Sequence, residues 1–219
     1  MEVVMIEERT IQGWQNTFRA LYGKRNRLRS SPERILLRLQ IELSCLAESV
    51  RKNSPDIPRS LAGIGARIFA LANLFELDVE ALVAMKYPGH CVYCGCEADC
   101  HCLDAVRSPI VLGTPGPEIP IDKLQGALKR IYGKSNEKQG RANVFAHIAE
   151  ELGELTFAVL EGNEKGVHEE LADLFAWWMG YVTLQGVASI STLLYQFYPD
   201  TCSRCRQNPC PSNGTCPPL

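Results

Sequence analysis

The segment Arg141-Ala-Asn-Val144-Phe-Ala-His-Ile148-Ala-Glu150-Glu151-Leu152-Gly-Glu154-Leu155-Thr-Phe-Ala-Val159-Leu-Glu161 decides the fold class. Val144, Ile148, Leu152, Leu155 and Val159 recur every three or four residues, the spacing of one apolar stripe on an α-helix. Residues 167–185 repeat the pattern with Val167, Leu171, Leu174, Phe175, Trp178 and Val182. Between them Asn163 and Gly166 mark a turn. The acids follow the same geometry: Glu151 and Glu154 are i, i+3, Glu150 and Glu154 are i, i+4, and Glu170 and Asp173 are i, i+3. An antiparallel hairpin of the two helices brings these sets together.

Working outward, the chain repeats itself. Trp14-Gln15, Phe18-Arg19 and Tyr22-Gly23-Lys24-Arg-Asn26 align with Leu124-Gln125, Leu128-Lys129 and Tyr132-Gly133-Lys134-Ser-Asn136 at an offset of 110. Glu42-Leu43 meets Glu151-Leu152 at 109, and Ser60-Leu61-Ala62 meets Glu170-Leu171-Ala172 at 110. Tyr87-Pro88-x-x-Cys91-x-x-Cys94 meets Tyr198-Pro199-x-x-Cys202-x-x-Cys205 at 111. The reading is two units, residues 10–102 and 121–216, with a linker at 103–120 punctuated by Pro109, Gly113, Pro115, Gly116, Pro117 and Pro120. Tyr132-Gly133 reads as a glycine-closed helix end, and Asp78 and Ser189 as N-caps of a last short helix in each half. No strand-like alternation persists. The expectation is an all-α fold: about four helices per half in a pseudo-dimeric bundle.

Composition excludes several classes. Of the 219 residues 46% are hydrophobic and 22% charged, as in a globular chain. A net charge of -2 argues against a general nucleic-acid or membrane-surface binder. No apolar run spans a bilayer, and the acidic N-terminus does not read as a secretory signal. The expected compartment is a reducing cytoplasm, where ten cysteines are metal ligands more often than disulfides.

Most helical charge runs are solvated faces. Here Ala146, Phe157 and Ala158, with Gly153 at the edge, share the first acidic face, and Trp177 lies one turn beyond Asp173. Something is expected to cover these acids. Two covered carboxylates about 4 Å apart repel by roughly 4 kcal/mol at an effective dielectric of 20, so a proton or a cation must relieve them. A site of several carboxylates suits Mg²⁺ or Mn²⁺ with phosphate oxygens as further ligands.

Glu-Glu-x-x-Glu, a spacer of 15 residues and Glu-x-x-Asp, followed by Leu-Phe-Ala-Trp, resemble the signature of MazG-like all-α nucleoside triphosphate pyrophosphohydrolases across most of residues 121–200. The resemblance implies Mg²⁺ held by Glu151, Glu154, Glu170 and Asp173 with Glu150 nearby. It also implies cleavage of a (d)NTP to the monophosphate and pyrophosphate. Glu150 or Glu154 is left to accept a proton from water. Lys129, Arg130, Lys134, Arg141 and Lys165 are candidate phosphate partners, and Trp177 a candidate for stacking on a base. The first half keeps only Glu42 of the acids, opposite Ile41, Cys45, Ser60 and Gly63, and is expected to be catalytically silent. MazG-like units generally assemble as dimers or tetramers. The silent half is therefore expected to act as a built-in partner, with a further homodimer left open.

Nine cysteines follow the last helix of each half. Cys91, Cys94, Cys100 and Cys102 form one set and Cys202, Cys205, Cys210 and Cys216 the other, each suited to a closed, structural Zn²⁺ site. Cys96, His90 or His101 are alternates in the first set, and redox thiols, disulfides or an iron–sulfur cluster remain alternatives. Cys45 reads as a buried small hydrophobe. The rival to an enzyme is a non-catalytic protein that binds a partner through its knuckles.

Overall fold

The computed structural model describes residues 8–100, 102, 118–213 and 215–216. His101 and most of the 103–120 linker lie outside them. The described residues form seven helices and no strand: α1 (Ile11–Arg29), α2 (Pro32–Arg51), α3 (Ile57–Leu74), α4 (Val79–Lys86), α5 (Ile121–Leu160), α6 (Glu164–Leu184) and α7 (Ile190–Phe197). The all-α class is as the sequence reading has it. No described helix is long and apolar enough to cross a membrane.

Local chemistry sets the helix starts. Thr10 accepts the backbone N–H of Gly13 at 2.9 Å, and Ser31 caps α2 with Pro32 just inside. Asp78 accepts from Ala81, Ser189 from Thr192 and Asn163 from Gly166, each at 3.0–3.1 Å. Gly166 therefore sits inside the first turn of α6. The expected helix end at Tyr132-Gly133 is not one. The helix runs through Gly133 and breaks at Gly140, whose φ of 81° and ψ of 161° a side chain rarely tolerates. A glycine inside a helix costs only about 1 kcal/mol, less than the burial of Leu128 and Ile131 on that stretch returns.

The helices pair as α2 with α3 and α5 with α6, and the two hairpins meet through α3 against α6 and α2 against α5. A close approach is at Gly65 on α3. A Cβ there would fall 2.5 Å from the Trp178 ring, which donates its indole N–H to the Leu61 carbonyl at 2.9 Å. Trp14, Phe18, Phe69, Phe175 and Trp178 are buried along this one continuous core.

Several hydrogen bonds recur about 110 residues apart. Gln15 donates to the Leu77 carbonyl and accepts from Val79 N–H; Gln125 does the same with Val187 and Ile190. Ile11 N–H bonds to Ile119, and Ile121 N–H to Arg9, joining the starts of α1 and α5. Cys100 N–H bonds to Ile131 on α5, and Cys210 N–H to Leu21 on α1. The Cys-rich segment after α4 thus docks on α5, and the one after α7 on α1.

Candidate active site

The α5–α6 hairpin converges part of the acid set. Oxygens of Glu151, Glu170 and Asp173 all lie within 4.8 Å of one another. Glu154 is outside this trio and exposed, although its charge still acts on Glu151 and Glu170. Glu150 turns away, 3.0 Å from Nδ1 of His147.

Electrostatics mark the trio as a place wanting positive charge. Loss of water, then the charges of Asp173, Glu170 and Glu154, push the Glu151 carboxyl up to about 8. Burial also raises Glu170. Protonated Glu151 donates a hydrogen bond to Glu170, the response expected of crowded carboxylates. The donor set fits an ion such as Mg²⁺ or Mn²⁺, being all oxygen, clustered, and partly open to further ligands.

Two residues that the sequence reading missed, at the end of α4, reach the acids. Lys86, the last residue of α4, pairs with Asp173 Oδ2 and donates to the Glu169 carbonyl at 3.3 Å. Tyr87 donates its phenol proton to Asp173 Oδ1 at 2.5 Å, and burial holds that phenol well above its ordinary value. The signal in the sequence was faint: two polar side chains at the end of a helix just before Pro88.

A cavity of about 290 Å³ opens from the acids. Glu151, Asp173, Lys86 and Tyr87 border one part, and Tyr93, Tyr132, Asn136 and Gln139 another. Trp177 lines it, its ring stacked on His147 with centroids 4.1 Å apart and planes at 12°. Leu128, Asn136 and Gly180 also border a neighbouring space of about 350 Å³, where Lys129 and Arg141 lie. Lys134 and Lys165 line neither cavity: Lys134 pairs with Asp99 at 2.5 Å and Lys165 with Glu169 at 3.3 Å. Arg130 donates to the Glu97 carbonyl.

Cys91, Cys94, Cys100 and Cys102 bring four sulfurs within 4.8 Å of one another, and so do Cys202, Cys205, Cys210 and Cys216. Four thiolates about 2.3 Å from a zinc ion stand about 3.8 Å apart at tetrahedral angles. The separations of 3.8 Å for Cys94–Cys100 and Cys202–Cys216, and 3.9 Å for Cys205–Cys210, match that edge, while Cys91–Cys100 is shorter at 3.3 Å. Either group could hold a metal. Cys96 lies 3.3 Å from Cys94 but outside the four, as does His90. Cys45 is exposed rather than buried, because it faces outward from α2 between the buried positions Leu43 and Leu46.

A family model described as phosphoribosyl-ATP pyrophosphohydrolase matches residues 121–196, the stretch that spans α5, α6 and most of α7. This similarity to an all-α, MazG-like type of domain points to pyrophosphohydrolase chemistry on a nucleotide. No curated protein and no solved structure is similar enough to this chain to count as a match.

Proposed function

We propose that this protein is a divalent-metal-dependent nucleotide pyrophosphohydrolase with one active site, built on residues 121–200 and closed by Lys86 and Tyr87. The observation that carries the reading is the trio of Glu151, Glu170 and Asp173, gathered where Glu151 and Asp173 border a cleft of about 290 Å³, with Glu151 pushed up to about 8. Glu151, Glu170 and Asp173 would hold the ion, with Glu154 beside them. When bound, Mg²⁺ neutralises the triphosphate and polarises the phosphorus under attack.

The chain's own residues supply the rest. Glu154, exposed and outside the trio, accepts the proton as a water oxygen bonds to the α-phosphorus. The bond to the β-phosphate oxygen breaks and pyrophosphate leaves. Lys86 would give up Asp173 Oδ2 to the ion and turn to the departing phosphates, whose charge it would neutralise. Trp177 and His147 present a stacked aromatic wall to the base, and Tyr93 and Tyr132 close the far end. The substrate class is a nucleoside triphosphate or its phosphoribosyl adduct, which share the 5′-triphosphate that the acids address.

The rest of the reading is architectural. The first half is a silent copy of the same unit, supported by the hydrogen bonds that recur near an offset of 110. Two closed Zn²⁺ sites pin the Cys-rich segments. Pyrophosphate release from ATP, dNTPs and phosphoribosyl-ATP with Mg²⁺ tests the function. Release from at least one of them, lost in Glu151→Gln, supports it, and no release from any contradicts it.

A further inference from the structure

Four residues that line the acidic cleft have an arginine at the matching place in the first half, and a fifth, Tyr93, has one at the matching place in the second Cys-rich segment. At the offset of 110 that pairs Tyr132 with Tyr22, Ser135 and Gln139 correspond to Arg25 and Arg29. At 109, His147 corresponds to Arg38. At 110, Trp177 corresponds to Arg67, and at 111 Tyr93 corresponds to Arg204. Over the same positions four of the five acids are lost, and Glu42 alone remains. The formal charge of the place reverses.

Arg25 and Arg29 on α1 both bond to the Cys-rich segment that carries Arg204. Loss of water, then the charges of Arg67, Arg25, Arg34 and Arg204, hold the Arg38 guanidinium below its usual value. Buried Arg25 donates to Cys210 Sγ at 3.3 Å and to the Cys216 carbonyl at 3.4 Å, and Arg29 donates to the Ser212 carbonyl. The second Cys-rich segment thus covers this place as the first covers the acidic cleft. Arg67 fills the space left by the missing acids. It pairs with Glu42 at 2.7 Å and donates to the Gly63 carbonyl at 3.0 Å, while its buried Nε has no hydrogen-bond partner. A Cβ at Gly63 would sit 3.0 Å from Glu42 and 3.3 Å from Arg67, so the change from acid to glycine makes room for the guanidinium.

Guanidinium groups stay charged and repel when gathered, and their planar forks match phosphate oxygens in pairs. We propose that the first half holds a second, metal-independent site for a di- or triphosphate chain, in which arginines do the work that carboxylates and an ion do in the other half. The proposal rests on the repeat described under the proposed function, and not on hydrolysis.

Calorimetric titration of the zinc-loaded protein in Mg²⁺-free buffer tests it, with inorganic pyrophosphate, inorganic triphosphate and sulfate as probes. One site per chain is expected for pyrophosphate and triphosphate, with sulfate far weaker. The double variant Arg38→Gln, Arg204→Gln, both of which reach solvent, should bind about tenfold or more weakly, as loss of a charge-assisted hydrogen bond predicts. Glu151→Gln and Lys86→Gln should bind as the parent does. No binding, equal binding of sulfate, an unaffected double variant, or loss in Lys86→Gln overturns the proposal. A protein that binds pyrophosphate in this way but hydrolyses nothing would count against the proposed function alone.

Discussion

Lys86 at the end of α4 pairs with Asp173 on α6, 87 residues further along the chain, and Tyr87 beside it bonds to the same carboxylate. The acidic trio is therefore not a property of the α5–α6 hairpin alone. Lys86→Gln should keep the fold, since this side chain is partly exposed, and should lower kcat/KM by about 10²-fold, the scale of a lost charge-assisted contact to a transferring phosphate. Tyr87→Phe removes only the hydrogen bond to Asp173 and should cost roughly tenfold. Steady-state pyrophosphate release with unchanged circular dichroism checks both; an unaffected Lys86→Gln would place the phosphates elsewhere.

The pH dependence follows from Glu151. Its carboxyl stands at about 8 in the folded protein against 4.5 in an open chain. Below 4.5 it is protonated in both states, and its contribution to stability is fully present. As pH rises from 4.5 through 8, the unfolded chain ionises first, and that contribution is lost. Metal-free protein should therefore lose Tm across this window through this group. Mg²⁺ or Mn²⁺ competes with the proton, so the gain in Tm on adding metal should be larger at pH 8 than at pH 6. A gain independent of pH would separate the metal from Glu151.

Zinc content offers an independent check. Two equivalents per chain are expected, falling to one in Cys100→Ser or in Cys210→Ser. Cys91, Cys100 and Cys102 border the acidic cleft, and Cys100 N–H bonds to Ile131 on α5. Cys100→Ser should thus reduce activity as well as stability. Elemental analysis and thermal melts on the two variants read this directly.

Gly65→Ala tests how α3 and α6 pack. The new methyl would sit 2.5 Å from the Trp178 ring, so the helices must move apart. A loss of about 1–3 kcal/mol is expected from overpacking, seen as a lower urea midpoint at unchanged m-value.

Much of this was legible in the sequence because it is local. Spacing of three and four residues placed Leu152, Leu155, Leu171 and Phe175 in the core, and Asp78 and Ser189 at helix starts. The two sets of four cysteines are gathered as their spacing suggested. What the sequence hid depends on distant contacts. Lys86 and Tyr87 acquire a role only when α4 packs on α6. Gly133 reads as a helix end until burial of its neighbours holds the helix through it. Glu150 and Glu154 share the motif of Glu151, yet the helix turns Glu150 toward His147 and leaves Glu154 exposed.

The most direct test of the central claim is pyrophosphate release, measured with and without Mg²⁺, by the parent protein and by Glu151→Gln, Asp173→Asn and Glu154→Gln. The account predicts Mg²⁺-dependent release by the parent from at least one 5′-triphosphate nucleotide, about 10²-fold or more slower in each variant. Release that persists without metal, or in all three variants at the parent's rate, would contradict it.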